Sequence, residues 1–323
     1  MTLPEINFAT RLVRIKKLAP SVDIFRLARE YATVDEVDFP VHVDGVCLDL
    51  KQHGKQPRIL VNRNLPRHRL RFTLAHELGH VVIPWHVGSI VDETEESRID
   101  LGLTYWQFEG EANRFASELL MPSEWAATIL QRTRHPISAA ESISIAAEVS
   151  FAAAMIKVQN LLPKGHLFAR FVDDELMYSS RTPGTLASMP DVRKAELKNL
   201  FPNAASHWTK SNGSEEYHVW QFQDEIPIES STRPWREIID EICADIGVAP
   251  AEAAKFKQRV MAVLSFANSS TRTSRTPAAV NSACLQRLHA NVGKIPHLEN
   301  FLLHPKVSEL LAAKIPEFFK NTR

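Results

Sequence analysis

The sequence predicts an α+β protein with more than one domain, and three observations support this. The chain has 323 residues, which exceeds one ordinary core because domains commonly hold about 100–150 residues. Helical and strand-like hydrophobic spacings both occur, in separate stretches. Near residue 165 an alanine-rich helical stretch gives way to alternating apolar and polar residues. We therefore expect an N-terminal part that mixes helices and strands, and a separately folded C-terminal region.

The N-terminal elements follow from local spacing. Apolar positions at helical intervals predict two helices within residues 5–35. Residues 38–62 have the pattern of short strands broken by glycine and proline, and RILVN, residues 58–62, is the clearest of them. Helices over residues 71–86 and 106–122 are predicted next, and the second ends at a proline that cannot continue it.

The C-terminal helices and strands are also predicted from the residue pattern of each stretch. Residues 123–162 are helical in pattern, and residues 166–181 alternate like a small hairpin. Residues 215–228 predict another strand, and helices follow from Pro234. A Ser/Thr-rich stretch at 268–277 interrupts these helices and is typical of a flexible loop.

Composition excludes several classes of function. Hydrophobic residues make up 44% of the chain and charged residues 24%, as in folded globular proteins. Lys plus Arg and Asp plus Glu are equal at 38 each, so net charge indicates no nucleic-acid or anionic-membrane partner. The three cysteines form no Cys-x-x-Cys pair, which argues against a disulfide framework. With no signal-like N-terminus and no long apolar run, we expect a cytoplasmic protein without a membrane span.

The stretch RFTLAHELGHVVIPWH, residues 71–86, carries the strongest chemical signal. On a helix, His76 and His80 lie on one face and aim at a single point. Glu77 points about 100° away from His76, so it addresses a water molecule at a metal rather than the metal. This is the division of labour in H-E-x-x-H metalloproteases, in which two histidines bind Zn²⁺ and the glutamate is the general base. The alternative is a helix that contains two histidines, but apolar flanks predict burial, where unpartnered imidazoles are costly.

A catalytic zinc needs a third protein ligand. Glu109 and Asn113 share one helical face, so the carboxylate could bind the metal while the amide supports a ligand. Glu111 points about 200° away from Glu109. The spacing favours Glu109 as the third ligand and leaves Glu111 as the alternative.

Three motifs resemble the ImmA/IrrE metallopeptidases: RILVN, RHRLRFTLAHELGHVV and EGEANRFASELLMP, in that order. The resemblance implies a zincin-like fold and points to Glu109, which begins a Glu-x-x-Ala-Asn motif. It also implies a regulatory zinc endopeptidase, in stress response or phage regulation, that cuts a helix-turn-helix transcriptional repressor when a signal arrives.

With this resemblance we expect four segments: a zincin-like metallopeptidase domain, a helical helix-turn-helix-like extension, a small α/β and possible sensor region, and a helical C-terminal region. These are residues 1–122, 123–165, 166–231 and 232–323.

Other interpretations remain open at this point. Residues 143–162 have the outline of a DNA-binding helix-turn-helix, but the second helix offers only Lys157 as a cation, so direct DNA binding is disfavoured. The zinc domain could instead be non-catalytic, with the C-terminal region binding a partner. His86 and Tyr105 are candidates for a second donor to the scissile carbonyl. RILVN is either a sheet edge that holds substrate or a core strand.

Overall fold

The computed structural model describes residues 3–39, 43–93, 103–190, 200–271 and 275–320. The chain divides into two compact units, Met1–Leu161 and Leu162–Arg323. Both contain helices and strands, which confirms the α+β class. Among the described helices, none has the length and apolarity that crossing a bilayer requires.

The first unit contains seven helices and four strands within the described residues. The helices are α1 (Pro4–Lys16), α2 (Ile24–Arg29), α3 (Arg67–Val82), α4 (Leu103–Leu120), α5 (Ser123–Thr133), α6 (Pro136–Ala147) and α7 (Phe151–Leu161). The strands are β1 (Thr33–Val37), β2 (Val43–Leu50), β3 (Arg58–Asn62) and β4 (Gly88–Glu93).

The sheet of the first unit has the strand order β1-β3-β2-β4. Strand β1 runs parallel to β3, whereas β2 is antiparallel to β3 and β4. The RILVN segment is β3 and lies between two strands, so its interpretation as a substrate-holding edge is wrong and its interpretation as core sheet is confirmed. Strand β1 overlaps the region predicted to be helical, because its pairing with β3 involves residues distant in sequence.

The segment α5–α7 lies within the first compact unit. A buried ion pair joins Lys157 of α7 to Glu118 of α4, with Nζ 2.7 Å from Oε2. The same ammonium donates to the Ser123 hydroxyl at 2.9 Å. The cation that a DNA-reading helix would present is therefore buried and paired, which weakens the DNA-binding interpretation.

The second unit contains a four-stranded antiparallel sheet in the order β6-β5-β8-β7 and five helices within the described residues. Its strands are β5 (His166–Val172), β6 (Glu175–Arg181), β7 (Ala204–Asn212) and β8 (Glu215–Phe222). Its helices are α8 (Trp235–Asp245), α9 (Pro250–Ser270), α10 (Pro277–His289), α11 (Leu298–Leu303) and α12 (Val307–Lys320).

The predicted hairpin over residues 166–181 is confirmed as β5 and β6. Its turn consists of Asp173 and Asp174, both with positive φ, a conformation that tight hairpin turns require and that aspartate tolerates. The predicted loop at 268–277 is partly wrong, because α9 continues to Ser270; residues 272–274 lie outside the described residues.

Candidate metal centre

Helices α3 and α4 approach closely at a glycine. A Cβ atom added to Gly79 would lie 3.0 Å from the Phe115 ring and 3.4 Å from the Ala112 Cα. Contacts this short leave no room for a side chain, so the small residue in the middle of α3 permits the close packing. The consequence is that a side chain on α4 can reach the histidines of α3.

Two contacts fix α3 against β2 and the residue that follows this strand. The Cys47 thiol donates to the Glu77 carbonyl at 3.3 Å, and Lys51 Nζ donates to the His80 carbonyl at 2.6 Å. An ammonium at the end of a helix satisfies a terminal carbonyl and interacts favourably with the helix dipole. Burial lowers the pKa of Lys51 to about 8. The histidine-bearing turn of α3 is therefore held by its backbone as well as by its apolar face.

His76, His80 and Glu109 converge in the interior. His76 Nε2 lies 3.0 Å from His80 Nε2 and 3.1 Å from Glu109 Oε2, and His80 Nε2 lies 3.4 Å from Glu109 Oε1. The three residues are 2%, 0% and 7% exposed, respectively. Within the described part of the chain, this is the one set of three or more His, Cys, Asp or Glu residues with the geometry to hold a metal ion.

Glu111, the alternative third ligand, lies elsewhere on α4. Its carboxylate accepts hydrogen bonds from Trp85 Nε1 at 2.5 Å and Gln107 Nε2 at 2.8 Å. It also lies 3.0 Å from His86 Nε2. The structure thus brings Glu109, and not Glu111, to the histidine pair.

The donor set of this cluster fits a divalent metal ion. His76 Nδ1 lies 3.0 Å from Asn113 Oδ1; since an amide oxygen only accepts, Nδ1 carries the proton and Nε2 presents its lone pair to the cluster. Burial lowers the pKa of His80 to about 3, so this imidazole is neutral. A buried carboxylate beside two imidazole nitrogens calls for a cation, and two imidazole nitrogens with one carboxylate oxygen are a known catalytic zinc set.

Glu77 is fully buried on the side of α3 that faces β2. A Cβ added to Gly45 of β2 would lie only 2.3 Å from Glu77 Oε1 and 2.9 Å from Thr73 Cγ2. The absence of a side chain at Gly45 therefore creates the space that the Glu77 carboxylate occupies. Sequence reasoning missed Gly45, although a glycine inside a strand is a recognised sign of close approach by another group.

The two candidate auxiliary donors, His86 and Tyr105, lie in different surroundings. His86 is fully buried, with its Nδ1 2.7 Å from His80 Nδ1. Both ring nitrogens of His86 therefore face protein groups, which is a correction to its interpretation as a donor to substrate. Tyr105 makes a ring contact with Trp106, with centroids 6.0 Å apart.

An α+β unit in which a His-Glu-x-x-His helix meets a carboxylate from a second helix has the arrangement of a metallopeptidase domain. Residues 21–158 match the family Peptidase_M78, described as the IrrE N-terminal-like domain. This part of the chain is similar to an IrrE N-terminal-like domain, and the resemblance seen in the sequence is confirmed.

A solved structure similar to this chain is described as a Mycobacterium tuberculosis transcriptional regulator. It is 12% identical, with a TM-score of 0.44, and the match covers 68% of this chain and 87% of that one. No curated protein gives a significant match.

Proposed function

We propose that the protein is a zinc-dependent endopeptidase of the IrrE type that cleaves a helix-turn-helix transcriptional repressor at one or a few positions in response to a signal. The observation that carries this proposal is the buried convergence of His76, His80 and Glu109. The match of residues 21–158 to a peptidase family supports the reaction class. The repressor and a role in stress response or phage regulation are expectations from the family resemblance.

In this proposal His76, His80 and Glu109 hold the ion. Zinc in such a site lowers the pKa of a water molecule to about 7 and polarises a carbonyl group. Glu77 takes up the proton at its carboxylate and returns it to the leaving amine. Asn113 keeps the His76 ring oriented through Nδ1, and Gly45 leaves room for the carboxylate of Glu77.

Restricted cleavage fits a site of this depth. The three proposed ligands and Glu77 are all buried, and we propose that only a substrate that presents its peptide bond in a matching shape reaches them. Such a requirement favours one protein substrate over general digestion. We also propose a cytoplasmic location, supported by three cysteines that are buried and free rather than bonded in disulfides.

Proteome-wide detection of new protein N-termini tests the proposal even while the substrate is unidentified. Host cells would express either the parent chain or the Glu77→Gln variant under matched stress, and zinc would be measured on the purified proteins. We expect about one zinc per chain in both, and new N-termini in one or a few DNA-binding proteins only with the parent.

Two outcomes would contradict the proposal. Identical N-termini with parent and variant, together with bound zinc, would support a non-catalytic zinc protein whose C-terminal unit binds a partner. Rapid degradation of casein by the purified parent would exclude a specific regulator.

A further inference from the structure

We propose that His86 and Glu111 are positioning residues for the metal ligand His80. A hydrogen-bonded relay from Glu111 through His86 to His80 fixes the tautomer of His80 with the Nε2 lone pair facing His76 and Glu109. This inference rests on the proposed function, since it assigns the relay to the zinc site. It gives Glu111 a role different from that of a ligand.

The first link of the relay is between Glu111 and His86. Glu111 Oε2 lies 3.0 Å from His86 Nε2, and both side chains are buried. Trp85 and Gln107 also donate to this carboxylate, which favours its charged form. An ionised carboxylate can only accept hydrogen bonds. The proton of His86 is therefore on Nε2.

The second link is between His86 and His80. His86 is buried, and its Nε2 carries the proton that the Glu111 carboxylate accepts. Its Nδ1 is then an acceptor, 2.7 Å from His80 Nδ1. A hydrogen bond between these two nitrogens requires His80 Nδ1 to donate. The lone pair of His80 is consequently on Nε2, which faces the cluster.

The tautomer has a direct consequence for metal binding. In the opposite tautomer, an Nε2 proton would lie between His80 and its neighbours His76 Nε2 at 3.0 Å and Glu109 Oε1 at 3.4 Å. That proton would occupy the space where the ion must bind. His76 has its own orienting group in Asn113, so each histidine ligand is held through Nδ1, one by a direct amide and the other by the relay.

The test compares two substitutions of His86 in the full-length protein. In His86→Gln, the amide oxygen can accept from His80 and the amide nitrogen can donate to Glu111, so the relay keeps its direction. His86→Leu fills a similar volume without either hydrogen bond. Removing such supporting partners costs about 10–100-fold in metal affinity. We therefore expect zinc binding, measured by competition with a chromophoric chelator, to weaken by about that factor in His86→Leu and by much less in His86→Gln.

A second measurement uses the zinc-free protein. Nitrogen-15 NMR of the histidine rings reports which nitrogen carries the proton. We expect His80 to be protonated on Nδ1 in the parent chain and in His86→Gln, and to shift toward Nε2 protonation in His86→Leu. If His86→Leu does not fold, as judged by circular dichroism, Glu111→Gln replaces it. Loss of the carboxylate leaves His86 free to reverse its direction, so the same shift is expected.

Three results would overturn the relay. They are Nε2 protonation of His80 in the zinc-free parent, equal losses of zinc affinity in the Gln and Leu variants, and unchanged affinity in His86→Leu. The NMR result does not depend on cleavage or bound metal, so failure of the relay is distinguishable from failure of the proposed peptidase function.

Discussion

Each unit contains a pair of neighbouring histidines, but the pairs are built differently: both rings are buried in the first unit, whereas in the second His218 is buried and His207 is exposed. In the first unit the rings of His76 and His80 meet at 71°, with centroids 4.8 Å apart. In the second unit the planes of His207 and His218 differ by only 19°, and His207 stacks on Trp220 with centroids 4.5 Å apart. Proximity of imidazoles is common to both, so proximity alone does not define a metal site.

The difference arises from secondary structure. One turn of α3 separates His76 from His80, so both rings point from one helical face toward the carboxylate brought by α4. His207 and His218 belong to adjacent strands, where neighbouring side chains on one face stack side by side. There, His207 Nε2 lies 3.0 Å from His218 Nδ1. The other ring nitrogen of His218, Nε2, lies 3.0 Å from Glu216 Oε1. The nitrogens form a chain of contacts in the second unit and converge on a point in the first.

Removal of one of the three side chains that converge in the first unit should have the largest effect on zinc content and cleavage. We expect His80→Ala and Glu109→Ala to lose most of the bound zinc and all measurable cleavage, because either change leaves two ligands where a catalytic site uses three. Metal content of the purified proteins, by atomic emission, measures this directly.

His218→Ala is the matched control from the second unit and should retain the parent zinc content. Loss of zinc in His218→Ala would break the distinction between the two histidine pairs. Full zinc content in Glu109→Ala, combined with its loss in Glu111→Ala, would reverse the choice of third ligand.

The next largest effect is expected from Glu77→Gln, which distinguishes zinc binding from peptide cleavage. Glu77→Gln keeps the shape of the side chain but cannot accept a proton, and general-base catalysis contributes about 10²–10⁴-fold. We expect cleavage of the identified substrate to slow by that factor while zinc content stays at the parent value. Glu216→Gln, beside the second histidine pair, should change neither quantity. Cleavage by Glu77→Gln at the parent rate would show that another group takes the proton.

The sequence predicted the elements that depend on local spacing. The helical face shared by His76 and His80 and the helix carrying Glu109 both follow from a repeat of 3.6 residues. The preference for Glu109 over Glu111 used the same geometry, and the structure places Glu109 beside the histidines. The direction of these side chains around the helix axis could be predicted because each comparison involves residues of a single helix.

What the sequence could not predict depends on contacts between distant segments. His86 follows the end of α3, where the helical repeat no longer fixes direction, so its contact with His80 was not foreseen. The position of β3 inside the sheet depends on its parallel pairing with β1. The importance of Gly45 appears only when β2 packs under α3 and brings its backbone against Glu77.

Substitution of Gly45 by alanine should have a smaller effect on the rate of cleavage. In Gly45→Ala the new methyl group would lie 2.3 Å from Glu77 Oε1, so the carboxylate must move. Displacement of a reacting group by about 1 Å can cost about 10²-fold in rate. We expect cleavage to fall by up to that factor with zinc content unchanged, as measured by initial rates on the identified substrate.

Gly110→Ala is the control for Gly45→Ala. Its Cβ would meet only the end of the flexible Arg114 side chain, at 3.1 Å, and alanine favours the helix. Equal loss of activity in the two variants would indicate a general effect of added volume near the site, and not a specific displacement of Glu77.

The smallest effect is expected from removal of the second unit. The proposed ligands and the relay residues all belong to the compact unit Met1–Leu161. In the second unit His207 and His218 form a stack, and its described residues contain no set of three with the geometry to hold a metal ion. A chain ending at Gly165 should therefore fold and bind zinc with the affinity of the full-length protein, as measured by chelator competition. Its cleavage should remain, while the response to the inducing signal should be lost, since we expect the second unit to regulate rather than to catalyse. If this shortened chain stays folded by circular dichroism but loses zinc, a ligand must come from beyond residue 165 and the assignment of the site to the first unit is wrong.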